Sequence, residues 1–512
     1  MKNSTRILPG IILALVLTNC KSREQQAQER YLQEGEKLAD VYCNTCHLAS
    51  PPELLDRTTW VFKVLPQMGP RLGMHRYKDL HYQPINSMMV PKQQSMTQEQ
   101  WEMIVDYFYY SSPEVLPAQQ HEIEPAIECK TFDAEPFSDD INSNAILTMI
   151  EIDTLRSLIY AGEAISSSLL IFDYNGQMVD SVTASSPITD MRTDTLFFDV
   201  AEVGILHPNN EDEGRIVRFS GGGDLRTKEK QVLIDSIYRP VWMEAQDYNY
   251  DGIEDYLVCE YGNDIGRLAI YYQIPSGTYE LYILENVPGS IVTRTYDFDQ
   301  DGHLDIAALW AQGDERIVIY YNDGAGEFRA GFKVAARFPG VYGSMYFDLH
   351  DFNDDGEMDI LYVNGDNFDY SQVLKPYHGI RIYENDGFDN FEEVYFYPIY
   401  GAGRAAIEDF DHDGDDDIMV VANFGDMENN PERGVVYLEN HGRYAYRPYS
   451  FSMAACNEWN TMGVVDIDHD GDQDVLVGSM NLKNVMTMAE QSISDNSEAD
   501  KTSILLLRNT TK

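Results

Sequence analysis

The sequence predicts a mainly β chain, a seven-bladed β-propeller preceded by a small all-α domain, and three observations predict it. An acidic loop recurs five times, its first residues 50, 54, 58 and 57 positions apart. A strand-and-turn marker recurs seven times between residues 141 and 512, and repetition at such a period marks a blade architecture. Upstream of both, apolar residues recur at helical spacing instead.

Composition narrows the classes. The 512 residues are 43% hydrophobic and 12% aromatic, too apolar for a disordered chain, and no long apolar run follows the N-terminus. Lysine and arginine total 37 against 85 aspartates and glutamates, a formal charge of −48. Such a surface excludes nucleic acid as a partner and favours metal cations and a basic protein. The expected organisation is a signal peptide (1–20), a tether (21–30), a helical domain (31–118), a linker and closing strand (119–140) and the propeller (141–512).

Lys2 and Arg6 precede an apolar stretch from Ile7 to Leu17, and the segment exits through Thr18, Asn19 and Cys20. A basic start, a short apolar run and such an exit describe a secretory signal rather than a membrane span. The cysteine at the exit resembles that of a bacterial lipoprotein signal. The resemblance implies lipidation at Cys20 and an exported chain anchored to the bacterial membrane, on the periplasmic or surface side of the outer membrane.

Cys43-Asn44-Thr45-Cys46-His47 is the most specific chemistry in the chain. At C-x-x-C-H spacing two thiols add to the vinyl groups of haem and the next histidine ligates iron. A zinc site needs a second ligand pair nearby, and a thioredoxin-like dithiol needs a βαβ context; neither is present. Tyr31 to Tyr42 can form a helix with Gly35, Leu38 and Tyr42 on one stripe. Thr97-Gln98-Glu99-Gln100 reads as a capping box, opening a helix with Trp101, Ile104, Val105 and Phe108 at helical spacing and ending before Pro113. This arrangement resembles a class I cytochrome c domain, with Gly35 where the two helices cross against Tyr107 or Phe108. The resemblance implies covalent haem c and a sixth iron ligand. Met68, in the stretch Trp60-x3-Val64-Leu65-Pro66-x-Met68, is preferred, with Met89 as the alternative. Met74, Met88, His75 and His81 are further candidates.

The acidic loops read D-x-[DN]-x-D-G-x-x-D. They are Asp247-Asn249-Asp251-Gly252-Asp255, Asp297-Asp299-Asp301-Gly302-Asp305, Asp351-Asn353-Asp355-Gly356-Asp359, Asp409-Asp411-Asp413-Gly414-Asp417 and Asp466-Asp468-Asp470-Gly471-Asp474. Alternate oxygens along a tight loop converge on one point, and glycine supplies the turn that wraps a cation. A backbone carbonyl, assigned to Ile253, Leu304, Met358, Asp416 and Gln473, completes the expected set. Hard oxygen ligands in this number suit calcium.

Each loop runs into an apolar strand such as Ile360-Leu361-Tyr362-Val363, hydrophobic enough to be buried on both faces. The second marker ends in a hairpin turn, near Asn175, Gly221, Ser276, Asp323, Asp386, His441 and Asn509. Seven units of four strands give seven blades, of which the first two lack the acidic loop. The pattern resembles the FG-GAP or VCBS repeats of integrin-like propellers, a resemblance that implies structural cations within the blades. The seventh unit stops where the others enter their outer strand, and an open edge is unfavourable. A segment between Glu122 and Phe137 is expected to supply the missing strand.

The insertion Asn364 to Gly379 joins polar, aromatic and basic groups that could line a pocket on the ring axis, and His378 within it is an acid–base candidate without a located partner. No catalytic motif of the common hydrolase, metalloprotease or P-loop kinds occurs, and no catalytic residue is assigned. Cys129, Cys259 and Cys456 read as buried thiols. The function expected is that of an extracytoplasmic, membrane-anchored c-type cytochrome for electron transfer, whose calcium-binding propeller docks a redox protein partner or a small-molecule or glycan ligand. The alternatives are a propeller oxidoreductase passing substrate electrons to its own haem, and an adhesion or glycan-binding lipoprotein.

Overall fold

A computed structural model of the chain describes residues 22–82, 90–220, 229–328, 331–368, 372–480 and 502–511. The signal segment with Cys20, Met88 and Met89, the expected turn at Gly221, and Asp369 and Tyr370 of the insertion lie outside the described residues. None of the described helices is long and apolar enough to cross a membrane.

The helical domain opens with Arg23–Cys43, capped by a box in which Ser22 and Gln25 exchange side-chain and backbone bonds. This helix reaches back into the segment expected to be a tether, whose Glu, Gln, Arg and Ala residues are good helix formers. A second helical stretch runs from Arg57–Thr59 through a π-turn at Trp60–Val64 into Leu65–Arg71. The last helix, Gln98–Ser111, starts at the expected Thr97/Gln100 capping box and buries Trp101, Ile104, Val105 and Phe108. The first and last helices meet at Gly35. A Cβ built there would lie 2.9 Å from the Tyr107 Cβ and closer still to the Met103 carbonyl, so only glycine permits the approach. Asp106, buried on the last helix, accepts from Tyr31 and Tyr77 hydroxyls and from Lys78 at 2.9 Å, tying three segments together.

After residue 140 the chain winds seven antiparallel sheets in sequence order. Their inner strands are Leu147–Asp153, Ile188–Thr193, Pro240–Gln246, Ser290–Tyr296, Ser344–His350, Ala402–Glu408 and Trp459–Val465. In the five blades with acidic loops the second strand is buried at every position, as its unbroken hydrophobicity predicts. Among the described residues, blade 7 supplies three of its own strands. Its outer strand is Phe132–Pro136, which pairs antiparallel with Ile504–Asn509 in the register Phe132 with Asn509 through Pro136 with Leu505. The expected closing segment is therefore in place. Just before it, Ala126–Ile127 adds in parallel to the outer strand of blade 6. Blades 7 and 1 join where Thr461 Oγ1 accepts from the Ile150 amide at 3.2 Å and Ser503 donates to the Asn142 carbonyl at 2.7 Å.

Strand alternation sorts the connections. Among the described residues, the acidic loops and the hairpin turns between third and fourth strands share one end of the ring; blade-to-blade connectors and second-to-third-strand loops share the other. The helical domain sits on that second end. Val341, from the connector between blades 4 and 5, and Val373, from the 364–379 insertion, pack against its core. The linker is fastened there too: the Gln119 amide donates to the Tyr400 hydroxyl at 2.8 Å and its side chain to the His378 carbonyl at 2.9 Å. Among its described residues the insertion thus serves as a platform for the helical domain. Lys375 and His378 are only 2% and 1% exposed, and burial holds the His378 imidazole well below its ordinary pKa, which disfavours the acid–base role.

Candidate functional site

Three constellations carry chemistry. The first is the row of acidic loops. In all five, the fourth residue (Tyr250, Gln300, Asp354, His412, His469) has φ between 58° and 62°, and the glycine at position six has φ between 85° and 102°. A Cβ on any of these five glycines would meet nothing within 4 Å, so the requirement is conformational rather than steric. The left-handed turns wrap the chain around the first aspartate. Asp247 accepts from the amides of Asp251 and Gly252 at 3.1 and 2.8 Å, and Asp297, Asp351 and Asp466 repeat the arrangement. Asp409 accepts from Gly414 at 3.2 Å.

The side chains converge. Ligand oxygens of Asp297, Asp299 and Asp305 lie within 4.8 Å of one another, as do those of Asp409, Asp411 and Asp413 and those of Asp466, Asp468 and Asp474. The ninth-position aspartates are fully buried. Burial, opposed by backbone amides and reinforced by neighbouring carboxylates, pushes Asp255, Asp305, Asp359 and Asp474 up to about 6 and Asp417 up to about 7. Packing several carboxylates this closely is costly without a compensating cation. Oxygens of this kind, at this spacing, fit a hard divalent ion.

One assigned ligand set changes. The carbonyls of Leu304, Met358, Asp416 and Gln473 accept from the side-chain amides of Asn322, Asn385, Asn440 and Asn509 at 2.9–3.3 Å. Counted from the first aspartate they stand at position eight; position seven is Ile253, His303, Glu357, Asp415 and Asp472. The asparagines themselves went unassigned from sequence. Each also donates its backbone amide to the ninth-position aspartate at 2.7–2.8 Å, with Gln273 taking that place in blade 3. The signal was available for three of them: Asn322, Asn385 and Asn440 open the Asn-Asp-Gly and Asn-His-Gly turns of the second marker.

The second constellation is the C-x-x-C-H segment. Cys43 is the last residue of the first helix and borders the helical core with Met68, while Cys46 is exposed and His47 half-buried. Burial, with Asp40 and Cys46 adding to it, pushes the Cys43 thiol up to about 11. A redox dithiol needs the opposite shift. His47 Nδ1 lies 3.0 Å from the Leu48 carbonyl, which can only accept, so the proton belongs on Nδ1 and Nε2 keeps its lone pair. Cys43 and Met68 border the same core, and two thiols with an imidazole nitrogen at this spacing are the donor set that fits a covalently held haem. Met74 is wholly enclosed by the helical core.

The third constellation was not legible from sequence. Around the ring axis, inner strands bring together Glu151, Asp190, Glu244, Arg294, Asp348 and Arg404. Arg294 pairs with Asp348 at 2.7 Å and, like Arg404, lies over the Trp242 and Tyr346 rings. Glu244 accepts from Trp242 and from the Thr293 hydroxyl at 3.2 and 2.6 Å. Burial first, and the Asp190 charge second, pushes Glu151 up to about 8; burial pushes Asp190 up to about 7. These residues are scattered over six blades, and only ring closure assembles them. Of the three cysteines expected to be buried, Cys259 is fully buried, while Cys129 and Cys456 are half-buried.

An FG-GAP-like repeat model matches residues 297–362, from the acidic loop of blade 4 through that of blade 5. No curated protein matches the chain. Among solved structures it is similar to Sqt1 of Saccharomyces cerevisiae, at 8% identity over 69% of this chain and 83% of that one, with a TM-score of 0.40. A functionally unknown protein from Desulfotomaculum acetoxidans DSM 771 is similar at 11% identity, over 59% and 85% of the two chains, with a TM-score of 0.37. A chain of a nidogen/laminin complex is similar at 10% identity, over 50% and 81%, with a TM-score of 0.32.

Proposed function

We propose that this chain is an exported, membrane-anchored c-type cytochrome for electron transfer, whose cation-stiffened propeller serves as a docking scaffold. The observation that carries the reading is the C-x-x-C-H segment at the end of the first helix, with His47 held in the tautomer that frees Nε2. Haem, when bound, supplies a one-electron iron couple. Cys43 and Cys46 would attach it, His47 Nε2 would ligate it, and Met68, which packs against the same helical core as Cys43, would be the sixth ligand. Lipidation at Cys20 would hold the module at the membrane. The five loops would take calcium, and the acidic exterior suits a basic redox partner. The test is the mass of the mature protein together with a reduced-minus-oxidised spectrum. A porphyrin adduct on the peptide containing Cys43 and Cys46, with reversible spectral change, is expected; unmodified thiols refute the reading.

A second reading, an oxidoreductase that oxidises a small molecule in the propeller, is favoured by the axial cluster, since Arg404 and Glu151 are polar, inward and not fully buried. Reduction of haem on adding a substrate, lost in Arg404→Ala, would select it over the pure carrier.

A further inference from the structure

The geometry points to the propeller as one wall of the haem site: the connector Phe338–Tyr342, between blades 4 and 5, buttresses the imidazole of His47. This rests on the haem reading above and extends it from the helical domain to the ring. Gly340 is the point of approach. A Cβ built there would lie 3.0 Å from the Gly313 carbonyl oxygen, and at ordinary contact distance from the imidazole, 3.4 Å from His47 Nδ1 and 3.6 Å from its Cγ. The connector brings nothing larger than a glycine to that point, and a side chain there would stand in contact with the imidazole.

The wall is stiff. The Tyr342 amide donates to the Pro339 carbonyl at 2.9 Å, closing a turn around Gly340. Phe338 stacks on Tyr362 with centroids 4.0 Å apart, and Tyr342 stacks on Tyr377 at 5.0 Å. Tyr377 donates its hydroxyl to the Val341 carbonyl at 3.0 Å, and Asn364 donates to the Tyr342 carbonyl at 2.9 Å. Val341 and Val373 then press the same end of blade 5 against the helical core. A histidine ligand is tuned by what fixes its ring and its Nδ1 proton. Here the Leu48 carbonyl fixes the proton and the connector limits the ring's rotation and tilt. Gly340 is thus a positioning residue: it acts on the iron through His47, and the ring becomes part of what sets the redox potential.

The experiment uses the full-length protein. Haem attachment is read first, by porphyrin mass on the peptide containing Cys43 and Cys46. Gly340→Val then adds a branched side chain between the Gly313 carbonyl, 3.0 Å from the new Cβ, and the imidazole; the backbone at 340 is outside the left-handed region, so the substitution is not strained by conformation. Midpoint potential and the ferric electron paramagnetic resonance g-values are measured for wild type, Gly340→Val, Gly340→Ala and Phe388→Ala, the last an exposed residue at the opposite end of the ring. The expected result is a shift of both quantities in Gly340→Val, a smaller shift in the same direction in Gly340→Ala, and wild-type values in Phe388→Ala, all with haem attached. Should Gly340→Val not fold, Gly340→Ala carries the comparison. Wild-type potential and g-values in a haem-loaded position-340 variant overturn the buttress while leaving the cytochrome reading intact. Absence of porphyrin mass in wild type overturns both.

Discussion

Replacing Phe132 with alanine tests whether the ring is held shut by a seam. The Phe132 side chain is 1% exposed and meets Phe410, Tyr437 and Phe451 with centroids 5.3, 5.2 and 6.4 Å away, all nearly edge-on. Truncating a phenylalanine in such surroundings costs about 3–5 kcal/mol, transfer and cavity together. The loss falls on a strand of five residues whose only sheet partner is Ile504–Asn509. At about 1.4 kcal/mol per tenfold, local opening of this pair should become roughly two to three orders of magnitude more frequent. Hydrogen exchange read by mass spectrometry measures this directly. Amides of 132–136 and 504–509 should exchange faster by about that factor, while those of Asp255–Glu260 in blade 3 keep wild-type protection. Phe388→Ala, at 79% exposure, should change stability by less than about 0.5 kcal/mol and serves as the control. Unchanged protection in 504–509, or equal loss in every blade, would refute the idea that the ring has one weak seam.

Gly35→Ala should destabilise the helical domain by about 1–3 kcal/mol in denaturant titrations, because the new methyl meets the Met103 carbonyl and Tyr107. Glu151 has a folded-state pKa pushed up to about 8 from 4.5, so its stabilising contribution is complete below pH 4.5 and is lost as pH rises through 8. Glu151→Gln should therefore flatten the fall in stability over that window, by at most about 1.4 kcal/mol per pH unit, in melts taken at pH 5 and pH 9. Calcium at a hundred times its dissociation constant should add about 2.7 kcal/mol for each occupied loop, so chelation should lower the melting temperature and calcium restore it; an unchanged melt counts against occupancy.

The propeller was legible because its units repeat: five acidic loops and seven turns fixed both the number of blades and the phase of their strands. The closing strand was legible by subtraction, since a three-stranded blade leaves an edge that something must cover. The Gly35 crossing was legible because glycine on the apolar stripe of a helix has few other uses. What escaped has a common cause. The asparagines that grip the eighth-position carbonyls lie in turns, where Asn is read by habit as turn chemistry, and their targets are loops upstream in the same blade. The axial charges Glu151, Asp190, Arg294 and Arg404 each look like ordinary strand polarity; no local pattern records that seven inner strands face one line. The approach of Gly340 to His47 is likewise a product of docking two domains, with no trace in either sequence alone.

The parallel hook at Ala126–Ile127 and the strand at Phe132–Pro136 are made long before the segment that receives the latter. During synthesis this stretch must wait unpaired while blades 1 to 6 assemble, since its mate is not complete until Asn509 has emerged. Stacking of blades can proceed by near-neighbour steps, whereas the final clasp spans nearly the whole wheel and is the slowest to nucleate. The same stretch runs back through the linker to the helical domain, whose seat on residues of blades 4 to 6 is complete before the clasp closes.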